Sequence, residues 1–152
     1  MIISLISTLV AFVLIVLDQV SKFLVFGTPT RSIIGNFLWF ESTLNTGAAF
    51  SILEGKSWIL IAISSIASIF LLWAMFSRKH FCSKPEKILF GVIFSGTISN
   101  LIDRIFFKGV RDFISLRFIH FAIFNIADVA IVFGVIILAV YLIVQSIKKE
   151  KK

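Results

Sequence analysis

Four long uncharged runs dominate the chain. Ser57 to Phe76 is an unbroken twenty residues, Val129 to Ile147 is nineteen and Ile88 to Ile102 is fifteen; Ile2 to Leu17 continues through Asp18-Gln19-Val20-Ser21-Lys22 to Phe26. At 1.5 Å of rise per residue, roughly 20 helical residues cross the ~30 Å hydrocarbon core of a bilayer. Composition agrees, since the 152 residues are 59% hydrophobic and 15% charged, against the roughly 45–50% apolar usage of soluble domains. The runs predict an all-α membrane protein with four transmembrane helices over about 2–26, 57–76, 88–105 and 125–147. The third run is short and speckled with polar residues, so it is expected inside the bundle. The first has no basic leader and no small-x-small cleavage site before Asp18, and is read as a permanent span.

The connections are less regular. Between the first two spans, Gly27 to Lys56 carries Thr28-Pro29-Thr30, Gly35-Asn36 and Asn45-Thr46-Gly47 around short aromatic and β-branched stretches. Those turn signals predict a small β-rich layer at the membrane surface. Between spans three and four, Arg104 to Asn125 is basic and aromatic, and "DFISLRFIHF" fits either an interfacial amphipathic segment or a strand pair. No repeat or composition break divides the chain, which reads as one unit over residues 1–152.

Charge orients the bundle. Of fifteen basic residues, eight fall in one loop (Arg78, Lys79, Lys84, Lys87) and the tail (Lys148, Lys149, Lys151, Lys152). By the positive-inside rule that side is cytoplasmic and both termini with it, a pattern that fits a membrane better than a nucleic-acid partner. The single Cys82 cannot form an internal disulfide, and His80 and His120 fall on opposite sides, so no metal site is expected.

The other side collects the unusual polar residues. Asp18 and Lys22 close span one, Asn45 and Gly47 lie in the first surface layer, Asn100, Asp103 and Arg104 close span three, Asp112 follows in the loop, and Asn125 and Asp128 open span four. Each has an ordinary reading. Asp18 and Lys22 can be an i,i+4 helix pair; Asp103 and Arg104 can end a helix; Asn125 can cap span four with Asp128 complementing its dipole. Ordinary readings do not explain why carboxylates and asparagines from four segments should converge on one membrane face. A proton-coupled transporter would instead hold its carboxylates near the midplane, and a membrane scaffold would need neither Asp112 nor Asp128. Two neighbouring carboxylates keep one proton between them, because like charges at short range cannot both ionise, and so offer a base and a hydrogen-bond donor together.

"DQVSK" (Asp18 to Lys22), "NTGAAFSIL" (Asn45 to Leu53), "SNLIDR" (Ser99 to Arg104), "VRDF" (Val110 to Phe113) and "FNIAD" (Phe124 to Asp128) together resemble, in order and spacing, the motifs of the lipoprotein signal peptidases, also called signal peptidase II. The resemblance runs from the first span to the last. It implies an intramembrane aspartyl endopeptidase of the bacterial cytoplasmic (inner) membrane that removes signal peptides from diacylglyceryl-modified prolipoproteins, cutting before the lipidated cysteine. It implies Asp112 and Asp128 as the catalytic pair, with Asp18, Lys22, Asn45, Gly47, Asn100, Asp103, Arg104, Asn125 and Ala127 supporting them or binding substrate. No cofactor or metal is implied; the expected partners are the prolipoproteins and membrane lipid, and the protein is expected to be monomeric. One departure stands out: Ser95 and Ser99 occupy positions before and beside Asn100 where the family usually carries glycines.

Overall fold

The computed structural model describes residues 2–47, 52–77, 82–119 and 121–150. Four helices, α1 (Ile2–Val25), α2 (Ser57–Phe76), α3 (Lys84–Phe107) and α4 (Ile126–Glu150), are long and apolar enough to cross a membrane. Large apolar side chains such as Leu5, Phe12, Trp58, Ile66, Phe133 and Ile136 stay exposed on the outside of the bundle, as a lipid solvent permits.

The third helix is the hub, packed against the other three. It is also the least apolar and the most enclosed of the four, in line with its short uncharged run. Its length exceeds that run because Ser83 and Glu86 form a reciprocal capping box and Pro85 preorganises the first turn, so the helix starts before Ile88. Lys108, in a left-handed conformation (φ 61°), ends it. Two glycines allow the close approach: a Cβ at Gly91 would collide with Ser7 on α1, and one at Gly96 would collide with the Ala127 carbonyl on α4. Small residues at such contacts are the usual means by which helices associate where lipid removes the hydrophobic drive.

The surface layer is one antiparallel sheet of β1 (Arg31–Ile34), β2 (Leu38–Asn45) and β3 (Val110–Leu116), in that order. Its first two strands come from the α1–α2 connection as the turn signals predicted. The third comes from the α3–α4 connection and pairs from Leu38↔Leu116 to Asn45↔Val110, with an irregularity between Phe40 and Thr43. "DFISLRFIHF" is therefore a strand as far as Leu116. The chain then turns and returns only as a single bridge, Phe124 opposite Ile114; His120 lies outside the described residues. Phe113 is buried against the edge of the Phe40 ring, centroids 5.8 Å apart, which anchors the sheet. Because β3 joins two connections, it carries Asp112 to Asn45 and to the start of α4.

Candidate active site

The start of α4 is fixed by a reciprocal pair. Asn125 Oδ1 accepts from the Asp128 backbone N–H at 2.9 Å, and Asp128 Oδ2 accepts from the Asn125 backbone N–H at 3.1 Å. This satisfies helix-end donors as an ordinary cap would. It leaves the remaining groups free for other work: Asn125 Nδ2 donates to Asp112 Oδ1 at 2.6 Å and Asn100 Nδ2 donates to Asp128 Oδ1 at 2.8 Å. Asn45 Nδ2 donates to the other Asp112 oxygen at 3.1 Å while its own carbonyl oxygen accepts from the Gly47 N–H at 3.0 Å. Asn125 thus touches both carboxylates, one through its amide group and one through its backbone and cap.

Behind this pair lies a buried charge cluster. Lys22, wholly enclosed, places its ammonium 2.7 Å from Asp18 Oδ2 and 3.3 Å from Asp103 Oδ2, and donates to Asn100 Oδ1 at 3.0 Å. Asp18 also accepts from Ser99 Oγ at 2.6 Å and from the Ala127 N–H at 2.8 Å. Asp103 accepts from the Arg111 backbone N–H at 2.9 Å and from its guanidinium at 2.8 Å. The Asp18–Lys22 pair does have i,i+4 spacing, but it is no surface pair. Its burial means neither charge is tolerable without the other. One end of the cluster steadies Asp128 through Asn100, and the other steadies Asp112 through the strand residue beside it.

Two participants, Arg111 and Gln19, were not singled out in the sequence, and a third, Ser99, was noted only as a departure from glycine, although each lies inside a quoted motif. Arg111 clamps Asp103, donates to Gln19 Oε1 at 2.8 Å and lies 4.2 Å over the Phe107 ring. Gln19 Nε2 reaches Ser99 Oγ at 2.9 Å and Asp103 Oδ1 at 3.1 Å. Ser99, at one of the two departures from glycine, is fully enclosed and supplies the hydroxyl that Asp18 accepts. Membership in a run of buried partners was the missing signal, and only tertiary structure supplies it. Arg104 stands apart from the charge cluster: its Nη2 reaches toward the Gly47 carbonyl at 3.5 Å, and its buried Nε finds no protein partner.

Asp112, Asp128, Asn45 and Arg104 line a groove of about 440 Å³ whose remaining walls are apolar, among them Phe124, Val129, Val132 and Phe133. Burial, reinforced by the negative charge of Asp128, pushes the Asp112 carboxyl up to about 7, against the opposing pull of its Asn45 and Asn125 hydrogen bonds and the charge on Lys22. A carboxyl that titrates near neutrality beside a second carboxylate is equipped to hold or release a proton in catalysis.

Four membrane-crossing helices with paired carboxylates facing an apolar groove define a multi-pass membrane enzyme of the aspartic type. Comparison with known proteins narrows the class. The family model described as signal peptidase (SPase) II matches residues 10–144. A protein named lipoprotein signal peptidase, from Clostridioides difficile (strain 630), is 37% identical over 140 residues, covering 89% of this chain and 93% of that protein. A bacterial membrane enzyme solved by the in meso method at 2.3 Å superposes with a TM-score of 0.86 at 31% identity, covering 96% of this chain and 92% of the other. A second such enzyme, solved at 1.9 Å, gives a TM-score of 0.78 at 31% identity over 90% and 91% of the two chains. The chain belongs to the signal peptidase II family.

Proposed function

We propose that the chain removes signal peptides from diacylglyceryl-modified prolipoproteins by cutting before the lipidated cysteine, with Asp112 and Asp128 as the catalytic pair. The observation that carries this reading is the joint hold of Asn125 on both carboxylates at the mouth of an apolar groove. The pair shares one proton; in this reading Asp112 carries it, and Asp128, in the first turn of α4, serves as the base. Asp128 takes a proton from a water as its oxygen attacks the scissile carbonyl carbon, while Asp112 donates to the carbonyl oxygen. When the tetrahedral intermediate collapses, the C–N bond breaks, the proton on Asp128 passes to the leaving amine of the lipidated cysteine, and the new carboxyl returns a proton to Asp112. The pair ends as it began, which is the economy of a dyad sharing one proton.

Arg104, which lines the groove from the end of α3, and Gly47, whose carbonyl faces it, bind substrate backbone, whereas Asp18, Lys22, Asn100, Asp103 and Ala127 hold the pair in register. The whole chain acts as one unit, as a monomer in contact with lipid, in the bacterial inner membrane. Both termini are cytoplasmic and the groove opens at the extracytoplasmic face, because eight of the fifteen basic residues crowd one short loop and the tail, close to span ends, on the other side. Incubation of the purified protein with a diacylglyceryl-modified prolipoprotein peptide tests the reading. The expected product begins with the lipidated cysteine; no product, or a product cut elsewhere, refutes it.

A further inference from the structure

The last stretch before α4 is tied to β3 through its backbone. Phe124 N–H donates to the Ile114 carbonyl at 3.1 Å, and the Phe124 carbonyl accepts from the Phe113 and Ile114 N–H groups at 3.1 and 2.8 Å. These bonds fix the direction of two successive peptide groups, because the N–H and C=O of a trans peptide point opposite ways. In the 124–125 peptide the carbonyl faces β3, so the Asn125 N–H faces away from it, and there it meets Asp128 Oδ2 at 3.1 Å. In the 123–124 peptide it is the N–H that faces β3. The Ile123 carbonyl therefore points to the side on which Asp128 stands.

That carbonyl accepts a hydrogen bond from no other described residue. Ile123 lines the catalytic groove together with Asp112 and Asp128, where most of the wall is apolar. A carbonyl on such a wall loses its water when a ligand fills the groove, and buried backbone groups are nearly always paired. Its direction is set before anything binds: Phe124 is held to β3, and the Phe121 ring meets the Phe124 ring edge to face, centroids 5.8 Å apart, bracing the segment from its other end. A few fixed polar groups on an apolar wall are how a pocket orients what it binds.

A peptide about to be hydrolysed brings the matching donor. We infer that the Ile123 carbonyl accepts a backbone N–H of the substrate and so sets the register of the scissile bond against Asp112 and Asp128. The inference rests on the proposed function and deepens it, by giving the substrate a main-chain contact that no side chain of the groove supplies. Ile123 and Asn125 are two residues apart, about 7 Å in an extended chain, so the N–H bound at Ile123 belongs to a residue about two positions from the bond cut beside Asp128. The interior of a helix cannot make this contact, since its N–H groups are already paired, so the substrate has to be extended at that point.

Diacylglyceryl-modified peptides in which single amides within three residues of the scissile bond are replaced by esters test it, because an ester lacks the N–H. With the unaltered enzyme, one ester about two residues from the bond cut is expected to raise KM about three- to tenfold at similar kcat, the worth of one net hydrogen bond. The enzyme's side of the contact is changed by placing phenyllactic acid, the α-hydroxy analogue of phenylalanine, at position 124. This keeps the ring and turns the Ile123 carbonyl into an ester carbonyl, a weaker acceptor no longer held by the bond to Ile114. With that enzyme the all-amide peptide is expected to show a similarly raised KM, and the sensitive ester to add less than twofold, which is the coupling a direct contact requires. An ester penalty that is the same with both enzymes, or no ester that raises KM, overturns the inference while leaving the proposed function standing; failure of the unaltered enzyme to cleave the all-amide peptide overturns both. Two further peptides, each with a diazirine side chain two residues from the scissile bond, one on either side of it, give a reading with Asp128→Asn enzyme that needs neither turnover nor the position-124 change. Adducts within residues 121–125 are expected from one of them, and adducts there from neither contradict the assignment.

Discussion

Lys22 is the point where the buried cluster can be broken most informatively. Its ammonium neutralises Asp18 and Asp103 together and holds Asn100, and no part of the side chain reaches the surface. Lys22→Met keeps the volume and removes the charge. Asp103 retains the Arg111 guanidinium at 2.8 Å, but Asp18 is left with only the Ser99 hydroxyl and the Ala127 N–H. Removing one member of a buried pair costs about 3–5 kcal/mol, and the surviving Arg111 contact places the expected loss near the lower end, about 3 kcal/mol. At roughly 2–4 °C per kcal/mol for a chain of this size, Tm in detergent should fall by about 6–12 °C. Adding Asp18→Asn should restore about half of that loss. An asparagine there can still accept from the Ala127 N–H and can donate to Ser99 Oγ, so no charge stays unpaired. Activity should remain low in both variants, because Asn100 has lost the donor that orients it toward Asp128. A Lys22→Met protein melting within a degree or two of the parent, or a double variant less stable than Lys22→Met, would refute the counter-ion account.

Three other outcomes follow from the same geometry. The Asp112 carboxyl moves from 3.8 unfolded to about 7 folded, so its proton is held more tightly in the folded state; its contribution to stability is full below about pH 4 and is lost as pH rises through 7, about 4 kcal/mol at 1.36 kcal/mol per pKa unit. Asp112→Asn should therefore gain in Tm relative to the parent between about pH 5 and pH 8, and melting curves that stay parallel across that range would contradict the buried carboxyl. Gly96→Ala would drive a methyl into the Ala127 carbonyl and to 2.7 Å from Ile131 Cγ1, pushing α4 and Asp128 away from α3; a loss of about 1–3 kcal/mol together with activity is expected, and unchanged melting would contradict the close α3–α4 contact. Arg111→Ala should destabilise by about 3 kcal/mol, with Arg111→Lys intermediate because an ammonium restores the charge but not the two-pronged hold on Asp103; equal stability of all three proteins would deny Arg111 that role.

Much of the bundle was legible because a bilayer imposes a length and a polarity that sequence states directly. The inward place of α3 followed from its polar-speckled run, and a β-rich layer between the first two spans from turn signals around short β-branched and aromatic stretches. β3 was ambiguous because its burial does not alternate: Val110 through Phe113 are all enclosed, so no period of two marks it. The quoted motifs named most of the polar side chains that hydrogen-bond around Asp112 and Asp128, since ionisable residues near hydrocarbon are costly enough to attract notice. Gln19 escaped notice because a neutral polar residue carries no such cost, and Ser99 was noted only as a replacement for glycine, not as the partner of Asp18. Arg111 escaped because its segment is basic and its partner, Asp103, lies on another element.

Cleavage by Asp112→Asn and Asp128→Asn proteins, measured beside the parent in one assay with a melting curve for each, tests the paired-carboxylate site most directly. Each substitution removes one proton-transfer partner with little change in volume. The expected result is a folded protein and no detectable release of the signal peptide in either variant. Turnover near the parental rate from either one would contradict the dyad and leave Asp103 as the acid to examine.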